Sequence, residues 1–406
     1  MKSFKTLDDV DVKGRRVLVR VDFNVPMQDG QVADVSRIER NTPTILEIAD
    51  RGGKVIILSH YGRPKGFDPK ESLKPVIGAV AKIMKRPIAF ADDCVGEIAE
   101  RAIGAMKPGD ILCLENTRFH KGEEKNDPDF AQKLARLGDI VVDDAFSVAH
   151  RAHASVEAIG HLLPIYAGRA MQEELRALER ALLAPERPVA AIVGGAKIST
   201  KLDLLGNLIT KVETLIIGGG MANTFLAAQG KPVGKSLCEG DLLHTARGIL
   251  AKAKSLGREI VLPVDAVVAQ KFSAHVPSRV VSVDEVGAND MILDIGPRSI
   301  EQVVSVLARS KTLVWNGPFG AFEIEPFDNG TVEVAEAAAE LNAAGKLVTI
   351  AGGGDTMAAL NVAGVTDRLT YVSTAGGAFL EWLEGKTLPG VAVLSTGCQS
   401  PSASRG

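Results

Sequence analysis

The chain has 406 residues, with 47 Lys and Arg against 50 Asp and Glu, a formal net charge of −3, and 46% hydrophobic residues. That composition is average for a globular protein and excludes intrinsic disorder of the whole chain. Residues 1–170 hold 26 basic against 25 acidic side chains and the remainder 21 against 25. Neither part is a polycation, so a dedicated nucleic-acid binder is excluded, and any bound anion must be held by a few focused charges.

The N-terminus has no apolar run and soon meets Asp8, Asp9, Asp11 and Asp22, so neither a signal peptide nor a transit peptide is expected. No apolar stretch approaches the ~20 residues that span a bilayer. The cysteines Cys94, Cys113, Cys238 and Cys398 form no CxxC pair. Free thiols in a cytoplasmic protein are expected.

In chain order, short β-branched runs alternate with helical patterns. The first part predicts strands at Arg16–Asp22, Lys54–His60, Ile111–Glu115 and Ile140–Asp144. Phe130, Leu134 and Leu137 define a helix face, with Asp127 as cap and Pro128 at the first position. Ala170–Leu183 reads as an amphipathic helix, with Met171, Leu175, Leu178 and Leu182 on one face. Pro185 and Pro188 must break it. Further strands follow at Val189–Val193, Thr214–Ile217, Glu259–Leu262, Thr312–Trp315 and Lys346–Ala351. Nearly continuous apolar strands suit a parallel sheet buried on both faces. The expected fold is α/β: two doubly wound, Rossmann-like parallel-sheet lobes joined by a helix and hinge. The expected limits are 1–169, a connection over 170–188, a second lobe over 189–385, and a C-terminal segment over 386–406 that returns to the first lobe. The residues from Ser395 on read as a loose tail.

Ligands of open α/β sheets bind beyond the carboxyl ends of the strands. In the first lobe those ends carry Asp22 and Asn24, then His60 and Arg63, then Arg118 and His120, then His150, Arg151 and His153, while Arg37 opens a helix. Guanidinium groups gathered on one side of a sheet point to a small-anion site. Asp22 and Asn24 either orient a neutral hydroxyl or hold an arginine. In the second lobe the ends are glycine-rich: Gly194–Lys201, Gly218–Gly220, Asn316–Gly320, Gly352–Thr356 and Ser373–Gly377. Glycines followed by helix N-termini offer N–H groups to a phosphate-rich ligand. Gly218–Asn223 lacks the third glycine of a dinucleotide fingerprint, and in Gly230–Ser236 the glycines stand one residue too close for a P-loop. A nucleotide here would bind by another design. Facing cations and glycine loops suit phosphoryl transfer, which depends on positioning, electrostatics and Mg²⁺, with lobe closure to exclude water.

Several segments carry a family resemblance: Arg20–Pro26, Ser59–Pro64, Glu115–His120 and Ala149–His153, then Gly194–Lys201, Gly218–Phe225, Val314–Glu323, Gly352–Thr356 and Val372–Gly385. In order and over nearly the whole chain, they resemble the phosphoglycerate kinases. The resemblance implies a cytoplasmic, monomeric enzyme of glycolysis and gluconeogenesis that interconverts 1,3-bisphosphoglycerate plus Mg-ADP and 3-phosphoglycerate plus Mg-ATP. It assigns Asp22, Asn24, Arg37, His60, Arg63, Arg118 and Arg151 to 3-phosphoglycerate, with the phosphate met by His60, Arg63, Arg118 and Arg151. It assigns Lys197, Lys201, Asn316, Glu323, Gly353, Gly354, Asp355 and Thr356 to the nucleotide, with Glu323 at the ribose and Asp355 at Mg²⁺. Arg37, Lys197 and the N–H groups around Gly354 and Gly376–Gly377 would stabilise the transferred group. No general base is required, because the nucleophile is already an anion. Ala375 stands where the family has a glycine, and Tyr61 where leucine is common. The rival readings are another ATP-dependent kinase of a small carboxylated metabolite, and a regulator that binds without turnover.

Overall fold

The computed structural model describes residues 4–396. Within them the chain forms two compact units, one of the described residues up to Arg176 together with those from Thr387 on, the other of Ala177–Lys386. The division falls inside the helix that the sequence sets between the lobes.

The first unit is built on a six-stranded sheet with spatial order Ala89–Ala91, Ile111–Leu114, Lys54–Leu58, Arg16–Arg20, Ile140–Asp143, Ile165–Ala167. All its pairings are parallel. The inner strands are buried on both faces, as their unbroken apolar runs require. The second unit repeats the design in the order Glu259–Val261, Thr214–Ile217, Val189–Val193, Thr312–Asn316, Val348–Gly352, Tyr371–Ser373, again all parallel. Each chain path runs outward from a central strand and then returns to its other side. The reversal lies between Arg16–Arg20 and Ile140–Asp143 in one unit, and between Val189–Val193 and Thr312–Asn316 in the other.

Every strand expected from sequence is present. Three edge strands of three residues each, Ala89–Ala91, Ile165–Ala167 and Tyr371–Ser373, were not anticipated, since they are too short for a periodic signal. The same holds for an antiparallel sheet of Ser278–Ser282, Asp265–Ala269 and Met291–Ile295. Its first-named strand is largely exposed and lacks the apolar run that marks a central strand.

Asp127 caps the helix Pro128–Ala135 by accepting the Phe130 N–H at 2.8 Å. The amphipathic helix after the first sheet is α-helical over Arg169–Leu178 and continues as a π-helical turn, Glu179–Leu183. Its predicted face is buried, from Met171 through Leu182. A C-terminal helix, Pro389–Thr396, packs on the strand Ile165–Ala167 in the first unit. Gly390 donates to the Ala149 carbonyl at 2.9 Å. Ser395 and Thr396 thus end a helix rather than begin a loose tail; the remainder of that segment, with Cys398, lies outside the described residues.

Candidate active site

Beyond the strand ends of the first unit, side chains and backbone interlock. Asp22 accepts the Asn24 N–H at 3.0 Å on Oδ1, and on Oδ2 it accepts the Arg37 guanidinium at 3.1 Å and the Ser147 hydroxyl. Arg37 Nη1 also donates to the Asn24 carbonyl at 2.8 Å. Of the two roles open to Asp22, holding an arginine is the one the structure displays. Asn24 Oδ1 accepts the Gly62 N–H at 2.9 Å, tying the first strand end to the second. Arg118 Nη1 donates to the Gly62 carbonyl at 2.6 Å, tying in the third. Asn116 supports that turn through the Tyr61 and Glu71 carbonyls, at 2.7 and 2.8 Å. Arg63 is exposed on the Gly62 loop, and Arg151 is half-buried beside His150, with Nε 3.3 Å from the His150 ring.

Behind this surface lies a residue whose role sequence reasoning missed. Arg20 is fully buried. Its guanidinium donates to Ser155 Oγ at 2.9 Å and to the Val21 carbonyl, and Nη2 lies 3.2 Å from His60 Nδ1. Ser155 passes the chain on to the buried Glu123 at 2.5 Å. An arginine directly after the apolar run Val17–Val19, at the strand's buried end, was the available signal. Burial, then Arg20, Arg118 and Arg37, holds the His60 imidazolium well below its ordinary range. His60 is therefore neutral, and because arginine can only donate, Nδ1 is the acceptor. The remaining ring proton sits on Nε2, where it is a donor for an anion. Burial, helped by neighbouring arginines, likewise brings His153 down to about 3. The Arg118 guanidinium is lowered by burial too, which Glu124, 3.3 Å from Nε, opposes.

At the end of the next strand, burial raises Asp143 to about 7 despite the Ala145 N–H and nearby Arg20. The folded carboxyl keeps its proton to about pH 7 and the unfolded one to about pH 4. Between those values the folded state binds more protons, so stability falls as pH rises. Asp143→Asn retains the Oδ1 acceptor and should remove roughly 1.4 kcal/mol per pH unit of this slope. Urea unfolding at about pH 5, 6 and 7 measures it; an unchanged slope would show that Asp143 is ionised throughout.

In the second unit the glycine loops close on one another. Gly194 donates to the Asn316 carbonyl at 2.8 Å. A Cβ on Gly194 would lie 2.0 Å from the Pro318 carbonyl oxygen, and one on Gly317, at φ +99°, would lie 2.3 Å from that of Gly194. Thr356 Oγ1 accepts the Gly317 N–H at 2.7 Å and donates to the Gly352 carbonyl at 2.9 Å. Asn316 donates to the same carbonyl at 2.8 Å and accepts Lys201 Nζ at 2.5 Å. Burial lowers the Lys201 ammonium, opposed by Asp355 and Glu384. Gly353, at φ +105°, caps the helix Gly354–Val362, which carries exposed Asp355 in its first turn. Lys197 and Glu323 are exposed on their loops. Lys201, Asn316, Gly353 and Thr356 thus form one connected set, whereas Lys197 and Glu323 are not drawn into it. Ser199 is held by Glu239, at 2.5 and 3.1 Å, a contact the sequence reading did not foresee.

The helix Gly377–Leu383 begins after Gly376, whose φ is +41°. The left-handed conformation falls on that glycine and not on Ala375, so the alanine carries no strain. Ala375→Gly should destabilise slightly, by about 0.5–1 kcal/mol, from added chain entropy. A rise in the thermal midpoint would contradict this.

Two doubly wound parallel-sheet units, with charged side chains at the strand ends of one and glycine-rich loops at those of the other, make an α/β architecture whose ligands bind beyond the strand ends. The family profile described as phosphoglycerate kinase matches residues 7–386. The phosphoglycerate kinase of Rhodopseudomonas palustris is 65% identical over 97% of this chain and 99% of its own length. That of Bradyrhizobium diazoefficiens is 64% identical over 97% and 98%. Among solved structures, phosphoglycerate kinase from Coxiella burnetii superposes with a TM-score of 0.91 at 42% identity, over 97% of this chain and 99% of that one. The chain belongs to the phosphoglycerate kinase family. It is an enzyme, a kinase and transferase. No helix among the described residues is long and apolar enough to cross a membrane.

Proposed function

We propose that this enzyme transfers a phosphoryl group in line and reversibly from 1,3-bisphosphoglycerate to Mg-ADP, giving 3-phosphoglycerate and Mg-ATP. The first unit binds the phosphoglycerate. Neutral His60 donates through Nε2–H, and Arg63, Arg118 and Arg151 supply charge to its phosphate. Arg37, positioned by Asp22 and Asn24, lies at the carboxyl end, where transfer occurs. The second unit binds the nucleotide through Lys201, Asn316 and Thr356, with Glu323 at the ribose. Lys197 and the N–H groups of Gly354 and Gly377 stabilise charge on the transferred group. Catalysis requires the two units to bring their substrates together, which also keeps water from the phosphoryl group.

Asp355 suits Mg²⁺, which binds proteins through one or two carboxylates and completes its shell with substrate phosphates and water. When bound, the ion neutralises charge on the nucleotide phosphates. Cytoplasmic location and a monomeric state belong to the same reading; free Cys94, Cys113 and Cys238 are in keeping with a reducing compartment.

The observation that carries this proposal is the contrast between the two sets of strand ends: cationic and imidazole groups in one unit, glycine-spaced backbone with a half-buried lysine in the other. The test couples 3-phosphoglycerate and Mg-ATP to glyceraldehyde-3-phosphate dehydrogenase and follows NADH oxidation. Turnover with 3-phosphoglycerate, and none with other small carboxylic acids, is expected. Turnover with a different acid only would favour another metabolite kinase, and nucleotide binding without turnover a regulator.

A further inference from the structure

Outside the groups used above, one cluster brings together three different donor types. Asp93 and Cys94 lie in the turn between the strand Ala89–Ala91 and the helix Gly96–Gly104, and His120 ends the 3₁₀ turn Thr117–Phe119. One donor atom from each, an oxygen, a sulfur and a nitrogen, lies within 4.8 Å of the other two. We propose that Asp93, Cys94 and His120 form a binding site for a Zn²⁺-class divalent ion, with a fourth position left for water.

The donor set decides the kind of ion. Mg²⁺ and Ca²⁺ take oxygen shells, whereas sulfur and imidazole together select borderline-soft ions such as Zn²⁺. Three protein ligands leave one tetrahedral position open. The site is layered in a way that suits entry of an ion. Cys94 is fully buried, while Asp93 and His120 are each about one-third exposed, at 36% and 33%. Asp93 Oδ1 accepts the Cys94 N–H at 2.6 Å and lies 2.7 Å from His120 Nε2. Every hydrogen bond of Asp93 among the described residues runs to Oδ1, which leaves Oδ2 for the ion. The His120 ring is stacked on Phe130 with centroids 5.0 Å apart, so its orientation is fixed before binding.

Burial, reinforced by Asp93 and Glu123, pushes the Cys94 thiol well above its ordinary value. Without an ion it is a thiol. Coordination as thiolate must therefore release one proton to solvent. His120 stands two residues after Arg118, and the His120 N–H donates to the Thr117 carbonyl at 3.2 Å. Occupancy would fix the turn that carries Arg118.

Co²⁺ is the probe, added to the full chain and monitored by absorption. One equivalent should give an intense near-ultraviolet thiolate-to-cobalt band with tetrahedral visible bands. Zn²⁺ should abolish these bands and excess Mg²⁺ should not. Cys94→Ser should lose the thiolate band. His120→Gln, at a partly exposed position, should weaken Co²⁺ binding by more than roughly tenfold, the lower limit even for outer-shell partners. Cys238→Ser with Cys398→Ser should leave the spectrum intact. Absence of a thiolate band in the wild type, its survival in Cys94→Ser, or unchanged affinity in His120→Gln would each overturn the proposal. Loss of coupled activity would not reproduce this pattern, so the site is tested independently of the proposed function.

Discussion

Arg37→Ala should lower kcat roughly 10²–10³-fold, the scale on which loss of a single transition-state donor acts. Arg37 is the second residue of the helix Ser36–Asp50, and its Nη1 is held by Asp22 Oδ2 and the Asn24 carbonyl. Those contacts fix the guanidinium while Nη2 and Nε make no hydrogen bond among the described residues, so they remain for the substrate. The side chain is 37% exposed, and its pair with Asp22 is worth at most about 1 kcal/mol of stability. Asp22 keeps the Asn24 N–H and the Ser147 hydroxyl in the variant. The urea midpoint should therefore move little while turnover collapses. Arg37→Lys should recover only part of the rate, because a point charge does not replace a planar fork. Near-normal turnover in Arg37→Ala would remove the residue from the catalytic role.

Gly194→Ala should have the second largest effect, through the nucleotide loops. The new methyl would meet backbone, the Pro318 oxygen at 2.0 Å and Gly317 at 2.7 Å, rather than a side chain able to turn away. The loops after Val189–Val193 and Thr312–Asn316 must then separate. Asn316 moves with them, and through it Lys201 and the Gly352 carbonyl. Overpacking of this kind costs about 1–3 kcal/mol. Displacing a positioned group by 1 Å can cost about 10²-fold in rate. We expect a lower urea midpoint and a KM for nucleotide raised at least about tenfold, with the KM for 3-phosphoglycerate nearly unchanged. Gly206→Ala is the control. It lies in the helix Leu202–Leu208, its added Cβ would meet nothing within 4 Å, and it should be neutral or stabilising. Wild-type stability and KM in Gly194→Ala would show that the loops have room to spare.

Buried parallel strands write themselves plainly in sequence, since a run such as Val189–Val193 has no polar face to obscure it. The chain path could therefore be read, and so could the residues that follow each strand. Edge strands could not: Ile165–Ala167 is held by one neighbouring strand, a bridge from Thr6 and a helix from the far end of the chain, contacts no local pattern announces. The fold sets the backbone angle at Ala375, and the sequence alone cannot say that the positive φ belongs to Gly376. Asp22 and Asn24 could be singled out, but only the structure shows that one grips Arg37 and the other grips Gly62. Arg20 was hidden for the same reason. Its partners His60 and Ser155 are 40 and 135 residues away in the chain. Positions on loops were legible; the networks that hold them were not, because they join strands that meet only after folding.

The central claim is a division of labour, with phosphoglycerate on the arginine and histidine ends of the first unit and nucleotide on the glycine ends of the second. Hydrogen exchange read by mass spectrometry, with one ligand at a time on the full chain, tests it most directly. With 3-phosphoglycerate, slowed exchange is predicted in peptides containing Asn24, Gly62, Arg118 and Arg151. With Mg-ADP, it is predicted in those containing Gly194–Lys201, Asn316 and Gly353–Thr356. Protection of the second unit's loops by 3-phosphoglycerate alone, or of the first unit's strand ends by Mg-ADP alone, would contradict the account.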